Sequence, residues 1–361
     1  MQIESYNRAE LQELIDSDFY KNLNQIPISY HRAMSHIQNP DTHEDDELLW
    51  AAYENEQLLG YVGVLPGYAN INQERKKIFW LSCFWVDESL RNGNLASILF
   101  FPLIKRYKDQ LFVSNFLPDM EKMYQSLGVF KPSLLKSGSQ FYCKSCLSNI
   151  LPVRFPKIRF LKPLLRVIDF SVNLLLSFGK LFYKPLTFHS KIVFDINFDA
   201  DFQSFINTFY KKNDHIERFS EHFDWILNFP WVLEGKPDKK SKQYYFSSKS
   251  EQFYYDSVKF IKNNKLSAFL LLKIRDRKLT VSYVFAEDDI IDDITAYILQ
   301  KVLDENLIMI TAFDERISNK IRKHRIRYIF ERFCKRAYIF PKTQNILPDV
   351  FQEGDGDNVF T

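Results

Sequence analysis

Chemistry is most concentrated at Arg91-Asn92-Gly93-Asn94-Leu95-Ala96-Ser97, a turn that follows the apolar run KKIFWLSCFWV ending at Val86 and precedes a helical stretch. A helix N-terminus presents unpaired backbone N–H groups and the positive end of the helix dipole, so a turn of small residues leading into it cradles an anion. This turn supplies a basic residue, a Gly that lets a ligand approach the backbone, and small side chains at Ala96 and Ser97. A pyrophosphate fits such a cradle. Further on, the segment Met123-Tyr124-Gln125-Ser126-Leu127-Gly128-Val129-Phe130 offers a phenol. With an ordinary pKa near 10, a phenol can serve as a proton donor at neutral pH. Tyr124 read alone is equally an amphipathic core residue.

Other reactive side chains are weaker signals. Cys143 and Cys146 form a C-x-x-C, but zinc needs two more ligands and no second pair exists, so no metal is expected. Cys83 sits in an apolar strand, where a thiol is usually inert core. A general base could come from His31, His36 or His43, or from the run Glu44-Asp45-Asp46-Glu47, although each has a plain structural use. His36, Ser82 and Trp225 are candidates for substrate contact, with Glu217, Arg218 and Asp224 beside the last.

These residues must be held by a framework, and the pattern describes one. Residues 1 to 40 read as helical from Leu11, Leu14, Ile15 and Phe19. Apolar runs broken by ENEQ and NINQERKK read as antiparallel strands. A helix from Gly93 to Tyr107 follows, then a strand in LFVSNF, a helix through EKMYQSL and a strand in SQFYCKS. The layout is α+β, with a helix entered directly from a central strand. ENEQLLGYVGVL (54–65) aligns with KNNKLSAFLLLK (262–273), and VDESLRNGNLASIL (86–99) with FAEDDIIDDITAYI (285–298), which suggests a duplicated domain. In the second copy Asp288, Asp289, Asp292 and Asp293 replace the cradle, and carboxylates there repel a phosphate.

A chain of 361 residues suits two domains, and 46% hydrophobic residues are ample for two cores. A net charge of +3 gives no global field for nucleic acid, which is not expected as the partner. Without an apolar signal segment at the N-terminus, a cytoplasmic location is expected. Residues 151–186 mix seven basic residues with aliphatic and aromatic ones and fall short of a membrane span. They read as a helical linker packed between domains, with peripheral contact to the inner face of a membrane as the alternative. The last twenty residues, polar and acidic, read as a loose tail.

Val86 with Arg91-Asn92-Gly93-Asn94-Leu95-Ala96, and Tyr124-Gln125-Ser126-Leu127-Gly128, resemble the GNAT N-acetyltransferases over roughly residues 45 to 145. Two departures stand out: Asn94 occupies a usual Gly position, where it is expected to tolerate left-handed backbone angles, and Trp80 replaces the usual strand Glu base. The resemblance implies two GNAT-like domains, each a mixed, mostly antiparallel sheet flanked by helices. Residues 1–150 would bind acyl-CoA, 151–190 link, 191–341 form a degenerate copy closing the acceptor cleft, and 342–361 form the tail. It implies acetyl-CoA as co-substrate on Val86 and residues 91–97, Tyr124 as catalytic acid, and transfer of the acyl group to a small-molecule primary amine, an amino sugar of a surface polysaccharide being one option. The alternatives are an aminoacyl-tRNA-dependent peptidoglycan-type transferase, supported by the basic runs 154–166 and 320–327, and an inactive binding module.

Overall fold

The computed structural model describes residues 1–90, 93–179, 186–194, 197–211 and 214–361. The chain opens with strand β1 (Gln2–Tyr6) and helices α1 (Arg8–Asp16), α2 (Asp18–Asn22) and α3 (Tyr30–Ile37). Strands β2 (Leu49–Glu54), β3 (Gln57–Ile71) and β4 (Glu74–Val86) precede α4 (Leu95–Tyr107), β5 (Leu111–Ser114), α5 (Pro118–Ser126) and β6 (Leu134–Tyr142). Then come α6 (Leu147–Arg154), α7 (Lys162–Gly179), β7 (Lys191–Val193), α8 (Ala200–Tyr210), β8 (His215–Ile216), α9 (Ser220–Asn228), β9 (Leu233–Glu234) and β10 (Lys249–Ser250). The chain finishes through β11 (Phe253–Lys262), β12 (Lys265–Arg275), β13 (Lys278–Ala286), α10 (Ile291–Asp304), β14 (Met309–Ala312), α11 (Glu315–Lys323) and β15 (Phe330–Ile339).

Local rules account for many of these boundaries. Asn7 caps α1 by accepting from the N–H groups of Ala9 and Glu10, and the Glu10 carboxylate accepts from the Asn7 N–H at 2.9 Å. The hairpins β2–β3, β3–β4 and β11–β12 turn on the pairs Asn55-Glu56, Asn72-Gln73 and Asn263-Asn264, all with positive φ. Two successive left-handed residues match the strand twist, and Asn tolerates them better than most side chains.

Two compact units form, and neither follows the contiguous division expected. Unit 1 contains Met1–Lys136, Asn197–Phe253 and Arg336–Thr361; unit 2 contains Ser137–Ile196 and Tyr254–Lys335. In unit 1 the strand order is β1-β2-β3-β4-β5, and the end of β15 closes it through Tyr338↔Ser114 and Ile339↔Val113. Within this order β4 and β5 run parallel. Successive strand residues serve opposite faces: Leu49, Ala51, Tyr53 and Tyr61 pack with α1 and α3, while Trp50, Val62 and Val64 pack with α4 and α5. Each fully buried Leu or Phe in these layers contributes roughly 1.5–3 kcal/mol. Unit 2 has the order β6-β14-β13-β12-β11-β7, with β13 and β14 parallel and α10 between them, so it repeats the β3-β4-α4-β5 connection. Ile291, Ile294 and Ile298 of α10 fill its core.

Three expectations need correction. Residues 2–6 are a strand, paired from Gln2↔Tyr53 to Tyr6↔Leu49, because QIESY alternates and β2 offers it an edge. The segment 342–361 is no loose tail: Phe351, Val359 and Phe360 are fully buried, since its few apolar residues find a hydrophobic seat in unit 1. Helices α6 and α7, expected as a buried linker, are largely exposed on one side. Among the described residues no helix is long and apolar enough to cross a membrane.

Candidate active site

The site begins where β4 leaves β5. Their parallel pairing runs from Phe79↔Leu111 to Leu81↔Val113 and stops. On the other edge of β4, Gly63 pairs Ser82 and Tyr61 pairs Trp85, so Cys83 and Phe84 stand against the single residue Val62. This is a β-bulge, with Cys83 at φ 53°. β5 ends at Ser114, and Asn115 turns the chain away with φ 52°. The inner edge of β4 from Ser82 onward is thus freed from its neighbour, and an extended amide-bearing ligand can pair with it.

Below this opening lies the start of α4. Asn94 is its N-cap with φ −88° and ψ 5°, and its side chain makes no capping bond. The left-handed conformation expected at Asn94 is therefore not adopted; the bridge region, open to any residue, serves the turn. Gly93 donates to the Leu90 carbonyl at 2.9 Å, and a Cβ on it would stand 3.3 Å from that oxygen. Gly93, Asn94 and Ser97 are exposed, whereas Leu95 and Leu99 anchor the helix against Val86 and Ala52. The first-turn N–H groups face solvent with no competing side-chain cap, which is the arrangement an anion uses. Arg91 and Asn92 lie outside the described residues.

Tyr124, on α5, is 3% exposed and sits edge-on to Phe100, Phe116 and Phe130 at 5.5–5.9 Å. Burial raises its phenol pKa, and the Asp357 carboxylate raises it further. It is held protonated, as a proton donor must be. Asp357 itself was invisible to sequence reasoning because it lies in the segment expected to be loose. It is 5% exposed, and Ser114, the last residue of β5, donates to its Oδ1 at 3.1 Å. Burial raises its pKa, with Arg32, the Ser114 hydroxyl and Arg336 pulling the other way. Gly356 makes this possible: its φ is +70°, and a Cβ there would stand 2.6 Å from Ser114 Oγ and 2.8 Å from the Trp80 ring. Only glycine lets the chain press this closely on the end of β5.

Arg32 of α3 is 2% exposed; it donates to Tyr244 Oη at 2.8 Å and to Cys83 Sγ, and its guanidinium lies 4.2 Å from the Trp231 ring centroid. Burial raises the Cys83 thiol, so it remains neutral beside the bulge. His36 and Ser82 do come together: a Cβ on Gly63 would meet Ser82 Oγ at 2.7 Å and His36 Cε1 at 3.6 Å. His36 is fully buried, stacks on Trp231 at 5.1 Å and makes no hydrogen bond of good geometry, although the backbones of Val64 and Leu48 lie close. Burial, with Arg32 nearby, lowers its pKa to about 3. Trp225 is not at a substrate surface; its indole donates to the Ser35 carbonyl at 2.7 Å in the interior of unit 1. Glu217, Arg218 and Asp224 likewise belong to unit 1 rather than to the second copy.

Four of the other candidate bases are engaged elsewhere. His31 contacts the Trp231 carbonyl at 2.5 Å and burial lowers its pKa to about 4. His43 meets Tyr68 Oη at 3.1 Å, Asp46 pairs with Lys77 at 2.6 Å, and Glu47 with Arg106 at 3.2 Å. Trp80, in place of the usual carboxylate, is fully buried against Phe112, Tyr338 and Phe351. In unit 2, Asp288, Asp289 and Asp292 pair with Arg316, Lys262 and Lys320 around the start of α10, and Asp293 accepts from the His189 N–H and the Ser190 hydroxyl. In the basic run 320–327, Arg322 is paired with Glu331 and Lys320 with Asp292, each at 2.7 Å.

A parallel strand pair that parts beside a bulge, followed by an uncapped helix start, can take an extended ligand along β4 and an anion at the start of α4. Residues 8–129 match the acetyltransferase (GNAT) family model. No curated protein matches the sequence. Among solved structures the chain resembles a probable N-acyltransferase from Enterococcus faecalis (TM-score 0.53, 9% identity, 94% of this chain and 72% of that one). A GCN5-related N-acetyltransferase from Anabaena variabilis is similar to the same degree (0.53, 8%, 94% and 71%). Saccharomyces cerevisiae N-myristoyltransferase, solved with bound myristoyl-CoA and inhibitors, covers 98% of this chain and 84% of its own at TM-score 0.52 and 12% identity. At these identities the likeness concerns the fold.

Proposed function

We propose that the chain transfers an acetyl group from acetyl-CoA to a primary amine, within unit 1. The reading rests above all on the parting of β4 from β5 beside the Cys83–Phe84 bulge. The CoA pyrophosphate sits on the 91–97 turn, of which residues 93–97 are described, and the pantetheine amides pair along Ser82–Val86. Asp357 takes the proton from the amine; nitrogen then bonds to the carbonyl carbon, the C–S bond breaks, and Tyr124 protonates the thiolate. His36 and Ser82 line the acceptor side. The rings of Phe84 and Phe100, 4.9 Å apart, together with Phe116 and Phe130 fill the space around Tyr124, which favours a short acyl group. The second unit, with carboxylates and their cations at the start of α10, is silent towards CoA.

The acceptor is a small molecule carrying an unprotonated or readily deprotonated amine; an amino sugar fits this class. The test is a screen of amino sugars, amino acids and simple amines with acetyl-CoA or myristoyl-CoA, read as released CoA. At 100 times its dissociation constant a donor should also stabilise the fold by about 2.7 kcal/mol. Acetyl-CoA should stabilise and turn over with at least one amine. Absence of both stabilisation and turnover would leave a binding module as the better reading.

A further inference from the structure

We propose that unit 2 docks on an anionic lipid surface through helix α7 and the turn preceding it. The helix is built inside out. Its inward stripe is Leu165, Asp169, Val172, Asn173 and Leu176, at helical spacing, and two of the five are polar. Asp169 accepts from the N–H groups of Leu147 and Ser148 at 2.8 and 2.9 Å and from the Ser145 hydroxyl at 2.6 Å, so it caps α6. Asn173 exchanges two bonds with the Ser145 backbone, at 2.8 and 2.9 Å. Polar bonds therefore hold α7 in place, and its apolar residues are left outside.

The outward side carries Leu164, Val167, Phe170, Leu175 and Phe178, each 56–71% exposed, and Phe160 just before the helix is 76% exposed. A soluble surface rarely shows so large a contiguous apolar face unless something covers it. Charge decides what covers it. Arg154, Lys157, Arg159 and Arg166 are exposed around the same segment, Lys162 is half-exposed, and the single acid, Asp169, is turned inward. Among the described residues none of these five cations has an ion-pair partner. A second copy would bring the same positive charge against itself, whereas an anionic bilayer offers phosphates to the cations and acyl chains to the rings. The helix lies in the interface and does not cross it.

The full chain is mixed with vesicles of phosphatidylcholine alone, or with added phosphatidylglycerol, and sedimented at low and high salt. Binding should require phosphatidylglycerol and weaken with salt. Arg159→Gln, Lys162→Gln and Arg166→Gln together should lower partitioning by about a hundredfold, at about fivefold per basic residue. A second variant, Val167→Ser with Phe170→Ser and Phe178→Ser, should abolish retention while circular dichroism stays unchanged, because these side chains are 60–69% exposed. Equal binding to both vesicle types, no binding to either, or a stable dimer that these serines disperse would each overturn the proposal.

Discussion

Replacing Asp357 by Asn tests the assignment of the base most directly, because the change is nearly isosteric. The Asn carbonyl can still accept from Ser114 Oγ, now at 3.1 Å, and Gly356 keeps its contact with Trp80. Arg32 retains Tyr244 and the Trp231 ring. What disappears is the ability to take a proton. General bases contribute about 10²–10⁴ in rate, or roughly 3–5 kcal/mol of transition-state stabilisation. Turnover measured as CoA release with a saturating amine should fall by that factor, with the dissociation constant for acetyl-CoA nearly unchanged. Stability gives an independent sign. Burial raises the Asp357 pKa, so its contribution is full below the ordinary carboxylate pKa and is lost as pH rises through the folded value. At neutral pH the charged carboxylate costs stability, and the Asn variant should melt no lower than the parent. A folded Asn variant that keeps more than about a tenth of parental turnover would refute the assignment.

Tyr124→Phe should lower turnover by about 10² while acetyl-CoA still binds, since the ring contacts with Phe100, Phe116 and Phe130 remain; a loss of melting temperature with normal turnover would mark a purely structural residue. Gly93→Asp places a carboxylate beside the exposed N–H groups that begin α4, and should weaken CoA binding about tenfold or more in a titration, with little change in fold. His36, whose pKa is held near 3 in the fold, binds fewer protons folded than unfolded between that value and its ordinary 6.5. Its contribution is present above pH 6.5 and lost as pH falls towards 3, so thermal unfolding followed from neutral to acid pH should show the melting temperature falling, and His36→Phe should flatten that fall.

Local signals were legible where the chemistry is local. Asn-containing turns announced the hairpins, apolar runs between polar turns marked strands in both copies, and the small-residue turn after Val86 marked the helix start that can hold an anion. The carboxylates replacing it in the second copy were equally plain, because charge at a helix terminus acts within one turn. The proposed proton acceptor was beyond reach. Asp357 stands 243 residues from Ser114, in a polar segment with no period, and becomes a buried carboxylate only because Phe351 and Phe360 seat that segment in the core. Tertiary structure also decided that Trp225 is interior, that residues 197–253 serve unit 1, and that α7 turns its apolar side outward. Composition states which side chains must leave water, but which neighbour each one finds is a property of the folded whole.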